Sequence, residues 1–202
     1  MEITVAITGA SGAIYPCRFL KHLAAEPLVS RINLVASIAG LRVLHEELNL
    51  GTLNLNNLAT KLTDGNSQKF TVLNNNDIGA NIASGSCPVD GMVILPCSMG
   101  TLASIAHGIS RDLIQRAADV TLKERRKLLL VIRDTPFSLI HLENMKLLTL
   151  AGGIIFPAVP SFYHQPSSLE DIVDQFLYRV MQHLGLNPSK AYRWEGSGHS
   201  PE

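Results

Sequence analysis

Apolar residues fall in short blocks separated by amphipathic stretches. Ile3–Thr8, Ile32–Ser37, Met92–Pro96, Leu128–Arg133 and Gly153–Pro157 are apolar at successive rather than alternate positions. Runs of this length predict strands covered on both faces, as in a parallel sheet. Helical periodicity fills the intervals: Ala13–Ala25, Leu41–Leu50, Thr101–His107, Asp112–Arg126 and Ser138–Leu150. Strands alternating with helices predict a Rossmann-like (flavodoxin-like) α/β fold, a doubly wound parallel sheet in three α/β/α layers.

Two segments break the pattern. Leu53–Ser86 is rich in Asn, Asp, Gly and Ser, and holds one short strand-like run, Phe70–Leu73. Long excursions of this kind often carry function. Near the other end, Pro166-Ser167-Ser168 precedes Glu170 and Asp171 in a capping-box pattern. Ile172, Val173, Phe176, Leu177, Val180 and Leu184 then recur on one helical face, until Gly185 and Pro188 end it. The expected organisation is one domain over 1–186 and a polar tail over 187–202. Tyr192 and Trp194 are the tail's large apolar groups and have little to bury against alone, so the tail is expected either to fray or to pack on a neighbouring subunit.

Composition narrows the function. The 202 residues are 46% hydrophobic, which suits one well-cored domain. Seventeen basic and seventeen acidic residues give no net charge, so neither nucleic acid nor an anionic membrane is an expected partner. Cys17, Cys87 and Cys97 are odd in number and widely spaced, with no Cys-x-x-Cys. That argues for reduced thiols rather than disulfides or a zinc ribbon. No basic leader or membrane-length apolar run is seen, so the cytoplasm is the expected compartment.

In an open α/β sheet the ligand lies beyond the carboxyl ends of the strands. Those ends carry Gly9-Ala10-Ser11-Gly12, Ser37, Pro96-Cys97-Ser98-Met99-Gly100-Thr101, Arg133-Asp134 and Pro160-Ser161-Phe162-Tyr163-His164. Small residues, hydroxyls and an arginine at one rim suit a ligand with a phosphate. Ser98-x-x-Thr101 reads either as an ordinary helix N-cap or as a phosphate cup at a helix N-terminus. The basic run Lys123–Lys127 reads first as a solvated helix end. Arg133, closing an apolar strand, suits forked hydrogen bonding to phosphate. Tyr163, in a proline-stiffened loop, is either a packed loop tyrosine or part of an anion clamp.

Other chemistries fit poorly. The seven histidines make no H-x-x-x-H or H-E-x-x-H pattern, so no metal is expected. There is no G-x-S-x-G elbow for a serine hydrolase. "TGASGAIY" superficially suggests a nicotinamide dehydrogenase, but G-x-G-x-x-G is missing, and the second strand ends in Ser37-Ile38-Ala39-Gly40 rather than an acidic residue.

Together "ITGASGAIY", "IASGS", "GMVILPCSMGTLASIAHG", "RAADVTLKERR", "HLENM" and "PSFYHQP" resemble the UbiX-type flavin prenyltransferases, within the flavin-containing cysteine decarboxylase superfamily. The resemblance runs from Ile3 to about Gly185. It implies transfer of a dimethylallyl group from dimethylallyl phosphate to N5 and C6 of reduced FMN, without a metal. The product would serve a partner UbiD-type decarboxylase, in ubiquinone biosynthesis or aromatic acid decarboxylation. By position it places FMN against Gly9, Ala10, Ser11, Ser37, Ser98, Met99, Gly100, Thr101 and Arg133. It places the prenyl phosphate near Ser11, Lys123, Tyr163 and Arg179. Asp134 stands where the family usually has Glu, one methylene shorter, and counts among the catalytic candidates. Such proteins form homo-oligomers, commonly dodecamers, whose sites draw residues from several chains. Two further readings stay open: an FMN carrier without turnover, and a direct flavin-dependent decarboxylase.

Overall fold

The computed structural model describes residues 1–66 and 68–194. Six strands form one sheet: β1 (Glu2–Ile7), β2 (Arg31–Ala36), β3 (Phe70–Leu73), β4 (Gly91–Cys97), β5 (Lys127–Ile132) and β6 (Ile154–Ile155). All neighbours are parallel, in the order β3-β2-β1-β4-β5-β6. The chain winds outward from β1 in one direction and from β4 in the other. The switch point, where such sheets open a ligand crevice, therefore lies beyond the ends of β1 and β4.

The unbroken apolar runs are explained by two cores. Ile3, Val5 and Ile7 of β1 join Val93, Leu95, Leu129 and Val131 on one face. Ala6 joins Met92, Ile94, Leu128, Leu130 and Ile132 on the other. Helices α1 (Ile14–Ala25), α2 (Ile38–Leu48), α3 (Leu58–Leu62) and α7 (Leu169–Leu184) serve the first core. Helices α4 (Met99–Ala106), α5 (Leu113–Lys123) and α6 (Leu139–Leu150) serve the second. Phe19 of α1 is fully buried, and truncating such a side chain costs about 3–5 kcal/mol.

The expected three-layer α/β fold is borne out. β6 is shorter than its apolar run, yet Phe156 and Ala158 continue the pairing by donating to Leu130 and Ile132 carbonyls at 2.9 Å each. Helix α3 was not expected. Its five residues are too few to show a period, but Leu58, Ala59 and Leu62 are buried. The excursion thereby folds back as cover for the first core. The predicted cap of α7 is present, with the Asp171 N–H donating to Ser168 Oγ at 3.0 Å. Asp174 ties α7 to α1 by accepting from Arg18 and meeting His22 Nε2 at 2.9 Å.

Of the tail, residues 187–194 are described and lie against their own α7. Tyr192 donates its N–H to Gln175 Oε1 at 2.9 Å, and Gln175 Nε2 donates to the Lys190 carbonyl at 3.1 Å. Residues 195–202 lie outside the described residues.

Candidate functional site

The rim over β1 and β4 is built around a buried threonine. Thr8 donates its N–H and its hydroxyl to the Pro96 carbonyl, at 3.2 and 2.8 Å, and accepts the Ser98 N–H at 2.8 Å. It thus locks the β1 turn to the start of α4. Pro96 cannot donate to the sheet, and the β4–β5 register shifts between Ile94 and Cys97.

The turn after β1 is packed against the start of α2. A Cβ on Gly9 would lie 2.5 Å from the Ala39 Cβ, and one on Gly40 would lie 2.5 Å from the Ile7 carbonyl oxygen. Ser37 caps α2 by accepting the Gly40 N–H at 3.0 Å. Gly12 has φ +116°, a conformation that only glycine adopts readily. Gly9, Ala10, Ser11 and Ser37 are therefore held on one rigid ledge.

An acidic residue that sequence reasoning missed completes this ledge. Glu47, on the third turn of α2, accepts the Ala13 N–H at 2.7 Å and the Gly12 N–H at 3.0 Å. Partial burial pushes its carboxyl up. The Ala13 N–H, the Ser11 hydroxyl, the Gly12 N–H and the Arg133 charge outweigh that burial, holding it below the usual carboxylate range. Glu47 stays ionised at neutral pH, with Ser11 in hydrogen-bond contact. No local pattern marks it, because its partners are 34 and 35 residues away.

Across the switch point, Ser98 caps α4: its Oγ lies 3.4 Å from the Thr101 N–H and 3.1 Å from the Thr101 hydroxyl. Apart from its chain neighbours and the helix's own backbone, no described atom lies within 4 Å of where a Gly100 Cβ would be, so this first turn opens outward. Arg133, just past β5, is partly buried, and its Nε is buried with no partner among the described residues. A buried charged donor is normally paired. A guanidinium with an unmatched Nε, one residue past the Cys97–Ile132 pair that leads into α4, fits a phosphorylated cofactor. Asp134 is exposed, and its Oδ1 accepts the Thr135 N–H at 2.8 Å.

Three predicted residues are not brought to this ledge within one chain. Lys123 ends α5 and pairs with Glu124 at 2.5 Å, beside Gly85. It precedes β5 whereas Arg133 follows it, so a strand's length, about 20 Å, separates them. Arg179 lies on the exposed side of α7, opposite Phe176, Leu177 and Val180. Tyr163 joins it there, with both residues lining one small cavity. Cys97 is wholly buried and burial pushes its thiol up, which suits a core residue rather than a nucleophile. Among the described residues no three His, Cys, Asp or Glu side chains gather as a metal site.

Comparison with known proteins decides what the ledge belongs to. The Flavoprotein family matches residues 1–180. Flavin prenyltransferase UbiX of Methanocaldococcus jannaschii is 40% identical over 194 residues, covering 96% of this chain and 98% of that protein. The chain belongs to the flavin prenyltransferase family. Two solved structures match its fold. AnUbiX (PadA1), in complex with FMN and dimethylallyl pyrophosphate, has a TM-score of 0.84 at 42% identity, over 96% of this chain and 97% of that one. A dodecameric FMN-dependent Ubix-like decarboxylase from Escherichia coli O157:H7 has a TM-score of 0.84 at 40% identity, over 97% of this chain and all of the other. The family, the α/β fold, the enzyme class and FMN as cofactor are thus as expected for this flavin prenyltransferase.

Proposed function

We propose that this chain moves a dimethylallyl group from dimethylallyl phosphate to reduced FMN, and that the ledge over β1 and β4 is where FMN lies. The observation that carries this reading is the buried Nε of Arg133, without a partner among the described residues, at the strand end next to the open Ser98–Thr101 turn. Met99 and Gly100 offer backbone N–H groups in that turn, and Arg133 supplies a forked cation. Gly9 and Ala10 bring bare backbone up to a flat ring, and Ser37 borders it. Reduced FMN, when bound, supplies the nucleophilic N5 and C6.

The chain's own contribution is charge and position. Breaking an allylic C–O bond leaves added negative charge on phosphate, and aimed cations and hydroxyls stabilise it. Lys123, Tyr163 and Arg179 are assigned that role. Holding the allyl carbon at the flavin edge supplies much of the remaining rate. Glu47, held ionised, is the base available at Ser11, whose hydroxyl can carry a proton between the ledge and the carboxylate. Asp134 is a second carboxylate at the same rim.

Because Lys123 and the Tyr163–Arg179 pair lie away from the ledge, the complete site is assembled from more than one copy. The outer face of α6 supports self-association: Leu139 and Ile140 are each 72% exposed and Leu150 is 76% exposed. Apolar side chains grouped on one helix call for a covering partner. A dodecamer is the assembly we assign, with the C-terminal tail near a neighbouring copy. The cytoplasm, and a UbiD-type decarboxylase as consumer of the product, belong to the same reading.

A carrier that binds FMN without turnover is the second reading, favoured by the short reach of Asp134 and its engagement with Thr135. Anaerobic turnover with reduced FMN and dimethylallyl phosphate separates the two, since a carrier binds the flavin and returns it unchanged.

A further inference from the structure

The cavity outside α7 contains a group that the roles above do not use. His164 follows Tyr163, and both of its ring nitrogens are buried without a hydrogen-bond partner among the described residues. An imidazole carries at least one N–H, and buried polar groups are normally paired. Two inward, unmatched nitrogens therefore mark a place where something else binds.

The surroundings say what that is. The cavity is lined by Ser161, Tyr163, Gln175, Arg179 and Tyr192, among others, and its described lining contains no carboxylate. One guanidinium, an imidazole, hydroxyls and an amide select an anion over a cation. Asp174, one turn before Tyr178 on α7, is already engaged by Arg18 and His22. Arg179 spends one nitrogen on Gln182, Nη1 to Oε1 at 3.0 Å. The imidazole packs beside two rings, its centroid 6.1 Å from Tyr163 and 6.3 Å from Tyr192.

Resting on the assignment of Tyr163 and Arg179 to the donor's phosphate, we propose that His164 is a third ligand of that phosphate, donating an imidazole N–H to one of its oxygens. The cavity measures about 10 Å³, room for about one water, so Tyr192 withdraws when the phosphate enters. Tyr192 is held there by the Gln175 side chain and by its ring contacts with Tyr163, 5.3 Å between centroids, and with His164.

The test is steady-state prenyl transfer by the full assembled protein, with dimethylallyl phosphate varied. His164→Phe keeps a ring of similar size but removes the N–H. It is expected to raise KM for dimethylallyl phosphate about tenfold, with kcat and FMN affinity changed less than about threefold. His164→Gln, which restores a donor, should recover part of the loss. An unchanged KM in His164→Phe overturns the proposal. So does a loss of FMN affinity in step with KM, which marks a structural role. Arg179→Ala is measured alongside: if it raises KM and His164→Phe does not, only the role of His164 is wrong. If neither raises KM, the assignment of this cavity to the phosphate fails. Should the phenylalanine variant not assemble, His164→Ala takes its place under the same criteria.

Discussion

The Glu47 carboxylate accepts the Ala13 N–H at 2.7 Å, seating a negative charge on the N-terminus of α1. In a doubly wound fold that position is the usual anion cup after the first strand. Here the protein fills the cup with its own carboxylate, which supports the proposed placement of the cofactor's phosphate at the Ser98–Thr101 turn and Arg133. The TGASG turn is left to carry Ser11 against Glu47. Glu47→Gln keeps the shape and removes the charge. Prenyl transfer is expected to fall about 100-fold or more, while FMN affinity, followed by flavin fluorescence, stays within a few-fold.

Arg133 tests the other side of the same division. Arg133→Gln should weaken FMN binding about tenfold or more, since a charge-assisted contact is lost. Arg133→Lys should recover it only in part, because a point charge cannot replace the fork. A fluorescence titration with FMN reads both.

Site sharing has a direct arithmetic. With FMN held near the unmodified protein's dissociation constant, Lys123→Ala and Arg133→Gln are each expected to lose most of their activity. If one site takes these residues from different copies, randomly reassembled mixtures of the two variants contain about one quarter intact sites. Recovery of roughly that fraction of activity after unfolding and joint refolding is the expected result. A site built within one chain would recover none.

Asp174 predicts an acid limit to stability. Burial pushes its carboxyl up, but the bonds to Arg18 and His22 outweigh this and hold it below the ordinary carboxylate value. A group depressed in the folded state stabilises above its unfolded pKa, about 3.9 for Asp, and that contribution is lost as pH falls through the folded value. Thermal midpoints should therefore hold level near neutrality and drop below about pH 4. Asp174→Asn should cost about 2 kcal/mol near neutral pH and flatten that drop.

Much of this was legible because the chain speaks locally in those places. Strands buried on both faces leave unbroken apolar runs, and Ser98 and Ser168 cap their helices where the pattern placed them. Arg133 stood out because it closes such a run. Glu47 did not, since its partners lie on another element and nothing in its own helix marks it. Helix α3 is shorter than two turns and leaves no period. Lys123 was a candidate through the family resemblance alone, and its distance from Arg133 was already implied by the predicted strand between them.

Gly9 and Gly40 are the ledge's two tightest points. Gly9→Ala drives a Cβ to 2.5 Å from that of Ala39, so α2 must shift. A loss of about 1–3 kcal/mol is expected, together with weaker FMN binding, because Ser37 and Glu47 move with α2. Chemical denaturation and FMN titration of the same sample check the pair of effects.

The central claim is that this chain alkylates the flavin rather than carrying it. The most direct measurement is the mass of the flavin released after anaerobic incubation of the purified protein with reduced FMN and dimethylallyl phosphate. The expected result is a flavin heavier by one dimethylallyl unit, formed over many turnovers and lost in Glu47→Gln. Recovery of unmodified FMN from a folded, FMN-saturated protein would contradict the account.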